Sequence, residues 1–287
     1  MTAPTTTAQG DPQQPEAYSS PLPNPQPHLG HALASEWTKL TSVRSTVWTL
    51  GSLVLLVVGI GAAVILQTTA TDYERMPFPT PAVFGLLVGQ LPVMVLGVLT
   101  VTSEYGTGLI RTTFTAAPDR YRVLTAKYLV FGITAFLTIA GSVSLVGLAA
   151  SMLRGGPGSG VHSGTEWVSM LLGSFYVTLL GVLALSVGTL VRHSAGAIAV
   201  MLGLVTLPPV IGAVLGIWDA LAPIGRALLE YNVPTALIEL FGLPNSGGSP
   251  AFGGSPLPGS AGHMALILVL TGCTVAGSYV VVGRRDV

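Results

Sequence analysis

The sequence predicts an all-α integral membrane protein with six transmembrane helices, and three observations carry that prediction. Half of the 287 residues are hydrophobic while only 8% are charged; a soluble domain carries about three times that share of charge. Mean hydropathy is +0.69. The apolar residues collect into six runs, each near the ~20 residues that cross ~30 Å of hydrocarbon: Thr46–Gln67, Ala82–Thr102, Leu124–Leu153, Trp167–Val191, Ser194–Ile217 and His263–Gly283. The third run is long enough to begin in the cytosol near Tyr121.

Residues 1–30 are rich in Pro, Gln and Thr and hold almost no large apolar side chain. Such a segment cannot offset the entropy of ordering, so it is expected to be a disordered cytoplasmic tail. It contains no apolar core of the kind a cleavable signal peptide needs. From residue 31 to 45 the pattern changes. Leu33, Trp37, Leu40 and Val43 recur at helical spacing, with Glu36, Lys39 and Arg44 elsewhere. Too short and too charged to span, this stretch predicts a helix lying in the interface, Trp37 at headgroup depth and Lys39 toward the phosphates.

Orientation follows from the basic residues. With the N-terminus inside, nine Lys and Arg fall in cytoplasmic connections and three (Arg75, Arg154, Arg226) outside, which places both termini in the cytoplasm. The longest outer connection, 218–262, divides in two. Asp219–Phe241 has apolar residues at Leu221, Ile224, Leu228, Leu237, Leu240 and Phe241, interrupted by Pro223 and Pro234. Its charges make a seventh crossing too costly, at about 2.5–3.5 kcal/mol each, so two short helices dipping into the outer leaflet are expected. The Gly-, Pro- and Ser-rich run beyond them reads as a flexible cover.

The 103–123 connection is the densest positive region of the chain. Tyr105 and Leu109 are four apart, as are Ile110 and Phe114, while Glu104 and Arg111 share another side. This predicts a short half-apolar helix stopped by Pro118. Within the spans, Gly85 with Gly89 and Gly212 with Gly216 have the spacing that lets helices approach closely. Pro92 and the Pro208-Pro209 pair are expected to kink their helices. Gln90 is the most polar interior residue, and the span interiors away from their ends hold no Asp, Glu, Lys or Arg. Gln90, Pro92, Pro208 and Pro209 are therefore the candidates for a path or a hinge. The Ser and Thr residues of the spans are expected to bond mainly to their own helix backbones.

Several chemistries lack their residues. The two lysines, Lys39 and Lys127, do not follow glycine, so no Gly-Lys-Ser/Thr phosphate loop exists here. No His-Glu-x-x-His or Gly-x-Ser-x-Gly motif occurs, and the lone Cys273 supports neither a disulfide nor a thiolate metal site. The chain is expected to be no enzyme, to hold no cofactor or metal, and, at zero net charge, to bind no nucleic acid.

The run from Ala34 to Leu40 (Ala-Ser-Glu-Trp-Thr-Lys-Leu), the loop pattern Glu104-x-x-x-Gly108-x-Ile110-Arg111 with Pro118, Arg120 and Lys127, and the terminal Arg284-Arg285-Asp286 together resemble the permease subunits of bacterial type-2 ATP-binding-cassette exporters. The resemblance covers residues 31–287. It implies a subunit of the bacterial plasma membrane that pairs with a second permease, as homodimer or heterodimer. A separate cytosolic ATPase subunit would bind ATP and Mg. It further implies that Glu104, Gly108, Leu109, Ile110, Arg111, Phe114, Pro118 and Arg120 form a coupling helix docked on that ATPase. Leu33, Trp37, Lys39 and Leu40 would belong to the interfacial helix beside it, and the helical part of the outer loop would be a re-entrant element. The alternative reading is a non-transporting membrane anchor or scaffold that recruits a cytosolic protein through the same loop. An uncharged interior suits lipids, hydrophobic drugs and peptide antibiotics alike.

Overall fold

A backbone amide finds no water in hydrocarbon, so a chain this apolar satisfies its hydrogen bonds segment by segment, as helices do. The computed structural model describes residues 28–73, 76–109, 112–113, 119–155, 164–243 and 258–284, and among these it is helical with no strand. The expectations for the tail before residue 28, for Arg75, Ile110, Arg111, Phe114 and Pro118, and for 244–257 lie outside the described residues. The helices are α1 (Leu29–Ser42), α2 (Arg44–Gln67), the single turn α3 (Ala70–Tyr73), α4 (Thr80–Thr107), α5 (Arg120–Arg154), α6 (Gly164–Val191), α7 (Ser194–Leu215), α8 (Ala222–Glu230), α9 (Val233–Leu240) and α10 (Pro258–Arg284). Six of them, α2, α4, α5, α6, α7 and α10, are long and apolar enough to cross a membrane.

The helices run past the limits that hydropathy sets. α4 continues to Thr107, so Glu104 sits in unbroken helix rather than in the 103–123 connection, while the helix carrying Lys127 begins at Arg120, next to the expected start near Tyr121. At 1.5 Å per residue the 35 residues of α5 reach about 52 Å, well beyond the hydrocarbon thickness. α4 runs on through Pro92 and α7 through Pro208 and Pro209; each proline leaves the carbonyl four residues earlier without its amide donor. Pro223 and Pro234 do not interrupt α8 and α9 but stand in their first turns, where a missing amide hydrogen costs nothing.

α4 and α6 form the centre. Their apolar windows are 61% and 67% buried, against 17% for α7, although all six windows have hydropathies between 2.1 and 2.5. Small residues make this possible. A Cβ on Gly97 of α4 would lie 2.3 Å from the Gly181 carbonyl oxygen of α6, and one on Gly85 would lie 2.6 Å from Val57 Cα of α2. Without side chains there, backbones pack directly and dispersion contacts accumulate along the seam. Gly212 of α7 meets Gly225 of α8 in the same way, its Cβ position 2.9 Å from the Gly225 oxygen.

Polar side chains then tie helix ends to neighbouring helices. Arg154, last in α5, donates from Nε to the Ile65 oxygen at 3.0 Å and from Nη2 to the Leu66 oxygen at 3.2 Å, satisfying carbonyls that the end of α2 leaves open. Glu166 in the first turn of α6 accepts from the Phe78 amide at 3.1 Å, just before α4. At the opposite end Arg120 Nη1 reaches the Val282 oxygen of α10 at 3.4 Å. The interior Ser and Thr hydroxyls mostly return to their own helices, as Ser142 does to Thr138 and Thr178 to Ser174.

Because the Gly97–Gly181 contact is backbone against backbone, neither side can yield. Gly97→Ala is expected to destabilise the protein by about 1–3 kcal/mol and lower its melting temperature in detergent. Gly141→Ala, at a position with no atom within 4 Å of the new methyl group, is the control and should melt no earlier than the parent.

Candidate functional site

One end of the bundle holds a four-charge cluster built from three separate elements. Glu36 lies on the same face of α1 as Leu33 and Leu40, three and four residues away; it is buried, as is Leu40. Lys127 lies two turns into α5 among the buried Leu124, Val130 and Phe131. Glu104 is in the last turn of α4. The Lys127 ammonium donates to Glu36 Oε2 at 2.7 Å and to Glu104 Oε1 at 2.8 Å, while Lys39 Nζ bridges Glu36 Oε1 at 2.7 Å and Glu104 Oε1 at 3.1 Å.

Two carboxylates and two ammonium groups make the cluster neutral, which is the condition for burying charge at all. Glu36 and Lys127 are each 3% exposed and Glu104 7%, so screening by solvent is weak for these three. Lys39 closes the ring at its wetter edge. Burial pushes its ammonium downward, but its hydrogen bond to Glu36 and the charges of Glu104 and Glu36 more than reverse this, and the group titrates above the ordinary lysine value. A raised folded value means the contribution of Lys39 is complete below about pH 10.4 and fades only as pH rises past it. Near neutrality the ring is insensitive to pH on that account.

The ring fixes α1 against α4 and α5. α1 joins α2 through a single extended residue, Val43 (φ −82°, ψ 117°), so the helix is seated by its side chains rather than by a rigid turn. Beside the ring, Arg192 follows the last residue of α6 in a left-handed conformation at φ 58°, uncommon for a side chain of this size. Its guanidinium carbon lies 5.0 Å from the Tyr105 ring centre, within cation–π range. Among the described residues, Arg192 Nε and Nη2 and Glu104 Oε2 are buried atoms with no hydrogen-bond partner.

α4 ends beside the cluster. Gly108 adopts φ 73° as its C-cap, a conformation that glycine reaches without steric cost, and the next side chain, Leu109, is 55% exposed. Asp119 caps α5 by accepting from the Arg122 amide at 3.2 Å, leaving both helix ends well defined on either side of the short connection.

The structure thus places the residues singled out in the sequence in different settings. Glu104, expected in the coupling helix on a side shared with Arg111, is turned inward to Lys127 and Lys39. Lys39, expected at lipid phosphates, is engaged with Glu36 and Glu104. Arg120 reaches α10, while Gly108 and Leu109 stand at the exposed end of α4. On α1, Leu40 is buried, Leu33 half-buried and Trp37 53% exposed. Gln90 is buried in α4, its Nε2 donating to the Leu87 oxygen at 2.9 Å; Pro92 lies in the same helix, and Pro208 and Pro209 lie apart from it in α7. The Glu36–Lys127 pair and the Arg192–Tyr105 stack were missed by sequence reasoning. The available signal was Glu36 itself, a carboxylate in line with the leucines of α1.

Among the described residues no group of three or more His, Cys, Asp or Glu is arranged to hold a metal ion. Each carboxylate of the ring is committed to an ammonium group, an arrangement suited to holding helices in register. No protein-family model matches this chain, and no curated protein does.

Removing one member should cost far more than removing an opposite pair. Lys127→Met leaves two buried carboxylates sharing Lys39 and should cost about 3–5 kcal/mol. The double variant Lys127→Met, Glu104→Gln keeps the Glu36–Lys39 pair and should recover about 2 kcal/mol of that loss. Equilibrium unfolding of the four proteins of this cycle in mixed micelles measures the coupling.

Proposed function

We propose that this chain is the permease subunit of an ATP-driven exporter of the bacterial plasma membrane. It works as a dimer, with an identical or a related permease, and a separate cytosolic ATPase subunit drives it from the 103–123 connection. The observation that carries the reading is the neutral ring of Glu36, Lys39, Glu104 and Lys127. It binds α1, the end of α4 and the start of α5 into one block at the mouth of that connection.

The physical argument is mechanical. A partner that displaces the connection moves both helix ends, and the ring makes α1 move with them. The displacement then reaches α6 through the backbone contact at Gly97 and Gly181, and from the core it passes to the peripheral helices. Leu109 offers exposed apolar surface at the emerging end of α4, and a desolvated apolar centre generally dominates the energy of such docking. Glu104 serves from inside, anchoring the helix that bears the docking residues. Trp37 and Trp48, 53% and 80% exposed, suit a headgroup-level position for α1 and the start of α2. α9 supports the role of an outer closing element, since Ala236 and Leu237, with Phe241 at its end, are fully buried.

The test first asks whether a neighbouring reading frame encodes an ATPase with a phosphate loop, then co-purifies that ATPase with this chain and measures ATP turnover in nanodiscs. The parent chain should stimulate hydrolysis. Gly108→Pro and Leu109→Asp should each reduce that stimulation at least tenfold while membrane insertion and yield remain normal. Undiminished stimulation would remove the coupling role, and stable capture of a partner that hydrolyses no ATP would favour the scaffold.

A further inference from the structure

Polar and aromatic contacts tie α10 to its neighbours at both of its ends. Arg120 meets the Val282 oxygen where α10 finishes against the start of α5. That end lies beside the 103–123 connection, and the beginning of α10 lies at the far end of the bundle. In the near joint the Thr125 hydroxyl donates to the Tyr121 oxygen at 2.8 Å, and its oxygen is 2.7 Å from the Tyr279 hydroxyl. Ser278 Oγ donates to the Val275 oxygen at 2.6 Å and lies 2.9 Å from the Tyr128 hydroxyl. A hydroxyl has one hydrogen to give, so the two tyrosines are the donors across this joint. The Tyr279 ring also stands 6.1 Å from that of Tyr121 and 6.2 Å from that of Tyr128.

The far joint is made with α8 and α9. His263 is 2% exposed; its Nε2 is 2.8 Å from the Glu230 backbone oxygen at the end of α8, and its Nδ1 is 3.3 Å from Glu239 Oε2 of α9. The Tyr231 ring, between α8 and α9, lies 5.2 Å from the imidazole centre. A Cβ on Gly262 would meet Tyr231 Cε1 at 3.1 Å. One helix therefore holds the α8–α9 pair at one end and the start of α5 at the other.

Between these joints α10 is suited to carrying movement. Its one proline, Pro258, is its first residue, so its hydrogen-bond ladder is unbroken, unlike those of α4 and α7 with their internal prolines. From His263 to Tyr279 the helix covers about 24 Å at 1.5 Å per residue. Only 22% of its apolar window is buried. Along the way Ser186 Oγ of α6 lies 2.8 Å from Thr274 Oγ1, which keeps the helix seated on the core. A stiff element lightly held along its length passes a displacement of one end to the other.

We propose that α10 is a connecting rod that couples the start of α5 to the α8–α9 pair, so that a shift at the mouth of the 103–123 connection repositions that pair at the opposite end of the bundle. Coupling between two sites is reciprocal, so loosening either joint loosens the other. The linkage belongs to this chain alone and needs no ATPase partner, which keeps its test separate from that of the permease reading.

Hydrogen–deuterium exchange of the full chain in nanodiscs reads both joints at once. Tyr279→Ala removes the ring and the hydroxyl of the near joint, and it should speed exchange of the α8 and α9 amides about fivefold or more, the low end of typical coupling between sites. Tyr279→Phe keeps the ring, loses only the donor, and should act in the same direction. His263→Ala releases the far joint and should in turn speed exchange at residues 123–127 of α5. Acceleration confined to the substituted end overturns the rod. So does an equal rise in α2, which supplies none of these residues and reports general loosening.

Discussion

Four charges that cancel decide how this end of the molecule is assembled. Neither Glu36 nor Lys127 could stay buried alone, since an unpaired ion in such surroundings costs several kcal/mol. Each demands the other, although 91 positions separate them. Glu104 and Lys39 complete the ring and bring α4 with them. Apolar groups of equal volume would often hold such helices together as well or better. What the ring adds is register: hydrophobic surfaces can slide by a turn, but these hydrogen bonds are made in one alignment only.

The body of the bundle follows a different rule. Its central seam is glycine against glycine, and the contacts across it are dispersion between backbones. Cross-helix caps then join the periphery, with arginines at helix C-termini and a glutamate beside an N-terminus. The peripheral α7 keeps only 17% of its window buried, leaving a broad apolar surface to lipid or to a second subunit.

Much of this architecture could be read from the residues, because the six apolar runs and the paired spacing of Gly85 with Gly89 report directly on solvent and approach distance. Which spans occupy the centre could not, since hydropathy barely differs between a helix facing lipid and one facing its neighbours. The helix ends were also misjudged. Glu104 looks like a loop charge by composition, and Lys127 like the charged end of a span, yet both prove to be interior partners, because the cost of one ion is cancelled by another that is distant in sequence. Lys127 did carry a hint: Leu124, Val130 and Phe131 surround it at helical spacing. Pro223 and Pro234 looked like interruptions and instead begin helices, a distinction that depends on the residue's place in the first turn.

The separation between Glu36 and Lys127 has a consequence for how the protein is made. During synthesis at about 5–20 residues per second, Lys127 follows Glu36 off the ribosome by roughly 5–18 s. Throughout that interval α1 has no counter-ion from the body of the protein and must wait as a solvated or lipid-bound segment. Its final seat exists only once the third crossing helix has entered the membrane, so α1 is made before the helices that hold it and is among the later ones to be locked.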